Sequence, residues 1–388
     1  MDKISFKLLA ISYLMTVLGL FFYSFTQVDL NLTLSQASVF QNFQRFFIHI
    51  GYFNRPLSTT IFIFLIFLLT ACYLLLLWLI THKKITEKQV WLLIILISGI
   101  LLFSYPAFSY DIFNYMFDAR IFTHYGLNPY QYKALDFSTD PWIRFMHWTH
   151  RTYPYGPLFL PLSLIPSFLG LGTFILTLFN FKLLAVISFL GSTFLIGKIM
   201  EKIEPARKLL AVAFFALNPL IIIETLVSGH NDLFMLTFAL ISIYFLIFGK
   251  KVWSLIFLFA SAGIKFVTIV LFPLYLILFM IKQLRWHLFF RAIILFLLLS
   301  LIPVIIQREP YPWYFIPVFG IASFLVEDFS VICLTSGLSV GLLLRYAPFL
   351  YFGDYEMPVP VLKTWLTVIP LALSLAILMT ARFFRKNV

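Results

Sequence analysis

Long apolar runs alternate with short polar gaps along the whole chain. Stretches such as 61–77 and 293–301 are apolar on every helical face, so a half-exposed strand or helix does not describe them. Runs of about 20 apolar residues are long enough to cross a bilayer as helices. Segments 5–27, 59–81, 89–108, 172–198, 209–227, 231–248, 289–306, 329–346 and 360–381 fit that template. Segment 252–282 lies between two basic gaps and must cross an even number of times. It is expected to form a hairpin of short helices, 252–263 and 266–282, with Lys265 at its outer tip. Segment 313–326 adds a further short crossing. The stretch 157–170 is short and holds Pro157, Pro161 and Pro166, which predicts a re-entrant or interfacial half-helix. The expected fold is all-α, a polytopic transmembrane helix bundle of about twelve spans with that half-helix and no internal repeat.

Composition agrees with this pattern. The chain is 62% hydrophobic and 11% charged, against about 45–50% apolar and about 25% charged in soluble domains. A soluble enzyme and a disordered chain are excluded. A transmembrane β-barrel is excluded as well, because its strands alternate lipid-facing and polar residues. Cys72 and Cys333 both lie in apolar runs and supply no disulfide framework. The first apolar run is too long for a removable signal peptide, and no small-residue cleavage site follows it.

A net charge of +12 would suit a nucleic-acid partner, but the placement of the cations argues against one. Seventeen of the 28 fall in a few gaps, around Lys3, Lys83, Lys202, Lys250, Lys282 and Arg385. This positive-inside asymmetry places those gaps and both termini in the cytoplasm, and the protein in the inner (cytoplasmic) membrane as a multi-pass chain. The expected partner is the lipid bilayer.

The polar chemistry gathers on the opposite, outer side, in 109–156, 224–232 and 307–314. Asp111, Asn114 and Asp118 share one helical face, with Ile112, Phe113, Met116 and Phe117 around them. The pattern predicts an amphipathic helix on the outer membrane surface, ended by Gly126 and Asn128–Pro129. Its acidic stripe is either a solvated face or the source of a general base. Asp111 stands at the rim of the bundle, where desolvation would raise its pKa and make it the better base. Glu224 interrupts an apolar span; it is either hydrogen-bonded in place or functional. His230 and Asp232 form a compact polar turn, either capped locally or functional, and too few for a metal ligand set. Lys265 and Arg308 are either interfacial anchors or counter-charges for a lipid phosphate. No Walker loop, dinucleotide fingerprint, zinc-protease motif or nucleophile elbow is present.

The run Ser109-Tyr110-Asp111, Tyr115, Asp118-Ala119-Arg120 and Gly126-Leu127-Asn128-Pro129-Tyr130 resembles the first extracytoplasmic loop of the GT-C superfamily of membrane glycosyltransferases. The likeness is closest to the bacterial branch that uses polyprenyl-phosphate mannose. Tyr153–Leu158, Asn218–Pro219, Gly229–Asp232, Ala262–Lys265 and Pro312–Tyr314 are similar to its later landmarks, so the resemblance covers about residues 90–315. A Gly often stands where Ala119 precedes Arg120. The resemblance implies a single GT-C-like transmembrane domain over 1–388, with 109–156 as its extracytoplasmic catalytic loop. It implies a polyprenyl-phosphate sugar donor, a glycan or lipid acceptor, inversion at the anomeric carbon and no cofactor. On this chain it makes Asp111 the general base and sets Lys265, His230 and Arg308 against the donor phosphate. Asp118 would bind acceptor or sugar hydroxyls, and Tyr115, Arg120, Glu224 and Asp232 would complete the substrate-binding set. A phosphodiester donor is already activated, so a base and a counter-charge suffice. Two other readings stand beside this one: a transporter or lipid-linked sugar flippase, which would carry ionisable residues in broken mid-membrane helices, and a non-catalytic partner in envelope assembly.

Overall fold

The structure is a computed structural model describing residues 3–280 and 285–386; Asp2 and Lys282, which belong to the expected cytoplasmic gaps, lie outside the described residues. Among the described residues every regular element is helical. Six helices are long and apolar enough to cross a membrane: Phe6–Gln27, Arg55–Thr81, Phe174–Ile203, Trp286–Gln307, Phe329–Phe352 and Val359–Ala381. The expected tally of about twelve spans is not reached by this measure. The remaining apolar segments form helices too short to count, including Phe159–Leu169, Asp232–Ile247, Lys251–Ile264, Phe266–Phe279 and Pro312–Leu325.

Helices α1 (Lys3–Ser24), α3 (Arg55–Thr81) and α4 (Glu87–Leu102) pack together. Capping residues set their starts. The Asn54 side chain accepts from the Leu57 N–H ahead of α3, and Thr86 and Gln89 form a capping box at α4. Between α1 and α3 lies α2 (Ser38–Ile48), an amphipathic helix that turns Phe40, Phe43 and Phe47 onto the core. No apolar run of spanning length announces it.

The helix expected on the outer surface is α5 (Asp111–Thr123), and it does not lie there. Every residue from Ile112 to Ile121 is buried. Short helix α6 (Phe159–Leu169) and long helix α7 (Phe174–Ile203) pack against it. Asn114 and Asp118 therefore face protein rather than water, while Asp111 stays partly exposed.

The expected span 209–227 is long and apolar enough as a pair of helices, but it is not continuous. It is two pieces, α8 (Lys208–Ala216) and α9 (Pro219–Ile221), the latter passing into a π-helical turn over Ile222–Val227; the axis bends by 49° at the break. The residues at the break explain it. Pro219 has no N–H to continue the ladder, and the Asn218 side chain accepts from the Leu220 N–H at 2.9 Å, starting a new helix. Helix α10 (Asp232–Ile247) follows and packs along α7 and α11 (Lys251–Ile264). Every residue from 210 to 236 is buried, so this broken helix and its turn form the centre of the molecule. Helices α12 (Phe272–Met280), α13 (Trp286–Gln307), α14 (Ile316–Ala322), α15 (Phe329–Leu344), α16 (Tyr346–Phe352) and α17 (Val359–Lys386) complete the chain.

Candidate functional site

Glu224, His230 and Asp232 all lie in that buried run, where unpaired charge is prohibitively costly. Their partners define the site. Asp111 opens α5, and its N–H donates to the Ser109 hydroxyl just upstream at 3.2 Å. His230 sits in the turn after the π-helical segment. Gly229 makes that turn with φ +72°, and a Cβ there would meet the Ile112 side chain at 3.1 Å, so the turn is pressed onto α5. The imidazole thus lies between two carboxylates: Nδ1 is 3.5 Å from Asp111 Oδ2, and Nε2 is 3.3 Å from Glu224 Oε2. The other oxygen of Glu224 accepts from the Tyr346 hydroxyl at 2.9 Å. Trp313 stacks on the imidazole with ring centroids 4.1 Å apart, and Tyr311 stacks on the indole at 4.5 Å.

A second ion pair adjoins this chain of groups. Lys265 Nζ lies 2.8 Å from both oxygens of Asp232, the first residue of α10, and beneath the Tyr314 ring. The main chain fixes the lysine. The Gly156 N–H donates to the Ile264 carbonyl at 3.0 Å, and the Leu158 N–H to the Gly263 carbonyl at 2.8 Å. A Cβ on Gly156 would stand 2.3 Å from the Gly263 oxygen, so only glycine allows this docking.

The electrostatics reverse one expectation. Burial raises the pKa of Asp111, but the His230 imidazolium, Lys265 and Arg151 outweigh it and hold the carboxyl below its usual range. The raised carboxyl is Asp118, pushed to about 7 by burial and eased only by the charge of Arg151. Burial would lower His230, yet Asp111 and Glu224 hold it up at about 9, so it is protonated at neutral pH.

The structure brings Asp111, Glu224, His230, Asp232 and Lys265 together. Tyr115 joins them, its hydroxyl accepting from the Asn231 N–H at 3.4 Å. Asp118 is buried about two helical turns further along α5. Arg308 is exposed and lies near Tyr314, at the rim of the group. Arg120 does not join it. Its guanidinium pairs with Asp140 at 2.7 Å and lies over the Trp142 ring at 4.2 Å, bracing the loop.

Two residues absent from the expected set emerge. Lys182, wholly buried in α7, donates to the Ser104 hydroxyl at 2.9 Å, the Val227 carbonyl at 2.9 Å and the Leu226 carbonyl, so it holds the end of the π-helical turn that carries Glu224. A lysine inside an apolar span is itself a signal that could have singled it out. Arg151 lies over Trp148 within the field of both Asp111 and Asp118. Among the described residues no three His, Cys, Asp or Glu side chains are grouped to hold a metal ion.

An apolar helical bundle enclosing a carboxylate–imidazole–carboxylate chain and a paired lysine defines an integral-membrane protein with a buried charged centre. The chain belongs to the MptA/B family: the family model described as alpha-(1->6)-mannopyranosyltransferase, N-terminal domain, matches residues 15–281. This is a mannosyltransferase family of the GT-C type, so the chain is a membrane glycosyltransferase of the mannosyl-transferring kind. No curated protein and no solved structure gives a significant match.

Proposed function

We propose that this protein transfers a mannosyl unit from a polyprenyl-phosphate donor to a glycan or lipid acceptor, with inversion, on the outer face of the inner membrane. The whole chain acts as one domain, with 109–156 as its catalytic loop. The observation that carries this reading is the convergence on Asp111 of three cations, His230, Lys265 and Arg151, around a carboxylate that is itself ionised. Base and phosphate counter-charge are thus in one place.

In the reaction Asp111 takes the proton of the acceptor hydroxyl as that oxygen attacks the anomeric carbon. The bond from the anomeric carbon to the phosphate oxygen breaks, and polyprenyl phosphate leaves with the electron pair. In the resting protein the cations keep Asp111 weakly basic. An arriving phosphate draws Lys265, His230, Arg151 and Arg308 toward itself, and Asp111 regains basicity when the donor is bound. Asp118, raised by burial so that it is partly protonated near neutral pH, is suited to hydrogen-bond a sugar hydroxyl as donor. Tyr115 and Glu224 position the site, and Arg120 acts through the loop.

The test is transfer of labelled mannose from a polyprenyl-phosphate donor in proteoliposomes. Asp111→Asn should slow the chemical step by about 10²–10⁴-fold, and Asp118→Asn should cost less. Near-normal turnover in Asp111→Asn with a dead Asp118→Asn reassigns the base. Movement of donor without transfer by the wild type favours a flippase instead. Sidedness is tested with an impermeant thiol reagent: Ser138→Cys should label from outside and Lys202→Cys should not.

A further inference from the structure

Arg345 and Lys363 are two cations that the catalytic reading does not use. Both are buried, with side chains 7% and 9% exposed, and they share one carboxylate. Arg345 Nη2 donates to Glu309 Oε2 at 2.8 Å, and Lys363 Nζ lies 3.1 Å from the same oxygen and 3.3 Å from Oε1. Among the described residues, Asp354 and Glu356 in the loop before α17 pair with neither cation. Two positive charges therefore face one negative charge, and an uncompensated charge away from water is costly. Glu309 is the open side of the group, with its side chain 37% exposed.

The cations are held in place independently of Glu309. Arg345 Nη1 donates to the Thr367 hydroxyl at 3.0 Å and to the Lys363 carbonyl at 3.4 Å, and the Lys363 amine lies over the Tyr355 ring at 4.6 Å. Helices α15 and α17 meet with no room for a side chain between them: a Cβ on Gly341 would stand 2.5 Å from the Thr367 carbonyl oxygen. Backbone contact thus sets the crossing that spaces the two cations.

Their position points to lipid. Of the six long apolar helices, α17 is the least covered by protein: 17% of its spanning stretch is buried, against 28–56% in the others. In its first two turns Lys363 is turned into the bundle and Trp365 is exposed. A buried amine beside an exposed indole describes a helix end at the level of the lipid head groups. A ligand that satisfies the group carries negative charge and accepts from both cations, as a phosphate does. Among the described residues neither cation pairs with Asp111, Glu224 or Asp232, so the group is separate from the counter-charges assigned to the donor.

We infer that Arg345 and Lys363 form a second lipid-phosphate site, for the phosphodiester head group of an anionic bilayer phospholipid, with Glu309 as the anion it displaces. The inference does not depend on mannosyl transfer, and its test reads binding alone.

The probes are phosphatidylglycerol and phosphatidylcholine in mixed nanodiscs, with bound lipid counted by native mass spectrometry. The wild type should retain phosphatidylglycerol about tenfold more strongly, the worth of one charge-assisted contact. Glu309→Gln keeps the shape and removes the competing anion, so it should raise that preference by about another tenfold. A cluster that only braces the helices would gain nothing from this change. Glu309→Gln/Arg345→Gln/Lys363→Gln strands no charge and should lose the preference. Equal retention of the two lipids by the wild type, or no gain in Glu309→Gln, overturns the site. Two controls identify the source of the phosphate. Displacement of phosphatidylglycerol by inorganic phosphate marks a free-anion site, and loss of polyprenyl-phosphate binding in the triple variant marks an extension of the donor site. Either result overturns the phospholipid assignment.

Discussion

Lys182 reaches from the middle of α7 to the Val227 carbonyl, 2.9 Å away, and so ties a spanning helix to the end of the turn that presents Glu224. The amine completes a helix end whose last carbonyls have no partner within the helix. Lys182→Met should leave the Leu226 and Val227 carbonyls unpaired in a dry interior, at about 1–3 kcal/mol for each group. The thermal midpoint in detergent should fall, and donor affinity should fall with it as Glu224 and His230 lose their register. Lys182→Arg, with its longer fork, should recover stability only in part. An unchanged midpoint in Lys182→Met would show that the turn holds itself.

The imidazolium gives the site a pH signature. His230 is held at about 9 in the folded protein, above the usual value of about 6.5 for an unfolded chain. A raised folded value means that its stabilising contribution is complete below about 6.5 and disappears as pH rises through about 9. Transfer should therefore show an alkaline limb near pH 9. In Glu224→Gln that limb should move to lower pH, because one of the two flanking carboxylates is gone. A pH–rate profile measured on both proteins checks this.

Asp118 has the opposite consequence for stability. Its carboxyl, pushed up to about 7, binds a proton more tightly in the folded state than in the unfolded chain. Ionisation consequently penalises the fold as pH rises from about 4 toward 7. Asp118→Asn should match the wild type in thermal stability near pH 4 and exceed it above pH 7. Thermal scans across pH give the answer, independently of any loss of transfer.

Lys265 is bound to Asp232 and is proposed to meet the donor phosphate, so a single substitution confounds two effects. Lys265→Met strands a buried carboxylate; breaking a buried pair costs about 3–5 kcal/mol, and the partial exposure of Lys265 places the loss at the lower end. Lys265→Met/Asp232→Asn should restore stability without restoring donor affinity. Lys265→Arg should retain part of both. Donor binding by isothermal titration, compared with melting data, separates the roles.

Gly156 offers a steric test beside the site. A methyl group there meets the Gly263 carbonyl at 2.3 Å, a backbone atom that cannot swing aside. Gly156→Ala should cost about 1–3 kcal/mol, as overpacking does, and should weaken donor binding by shifting Lys265. Retention of both would show that the loop adjusts freely.

Much of this architecture was legible in the chain itself, because a spanning helix announces itself through continuous apolar sequence. The π-helical turn and the bend at Asn218 were hidden for the same reason, since apolar residues run on through both. Helix α2 has the reverse problem: its Phe face is conspicuous only once α1 is there to receive it. The site residues were visible singly, as charges in costly places. Their pairing was not, since Asp111 and His230 are far apart in sequence and meet only because Gly229 lets the turn press on Ile112. That unseen contact also explains the misjudged pKa of Asp111. Desolvation can be guessed from position, whereas an imidazolium neighbour cannot. Lys182 was overlooked although it obeys the rule that singled out Glu224.

The main-chain pairing of Gly156 and Leu158 with Gly263 and Ile264 joins two segments a hundred residues apart into one interlocking part. Anyone recombining this protein with a relative should therefore treat 153–158 and 262–265 as inseparable cargo. A crossover placed anywhere between them pairs a foreign loop with a native hairpin tip, and the lysine it was meant to aim goes astray even when every residue near Asp111 is retained.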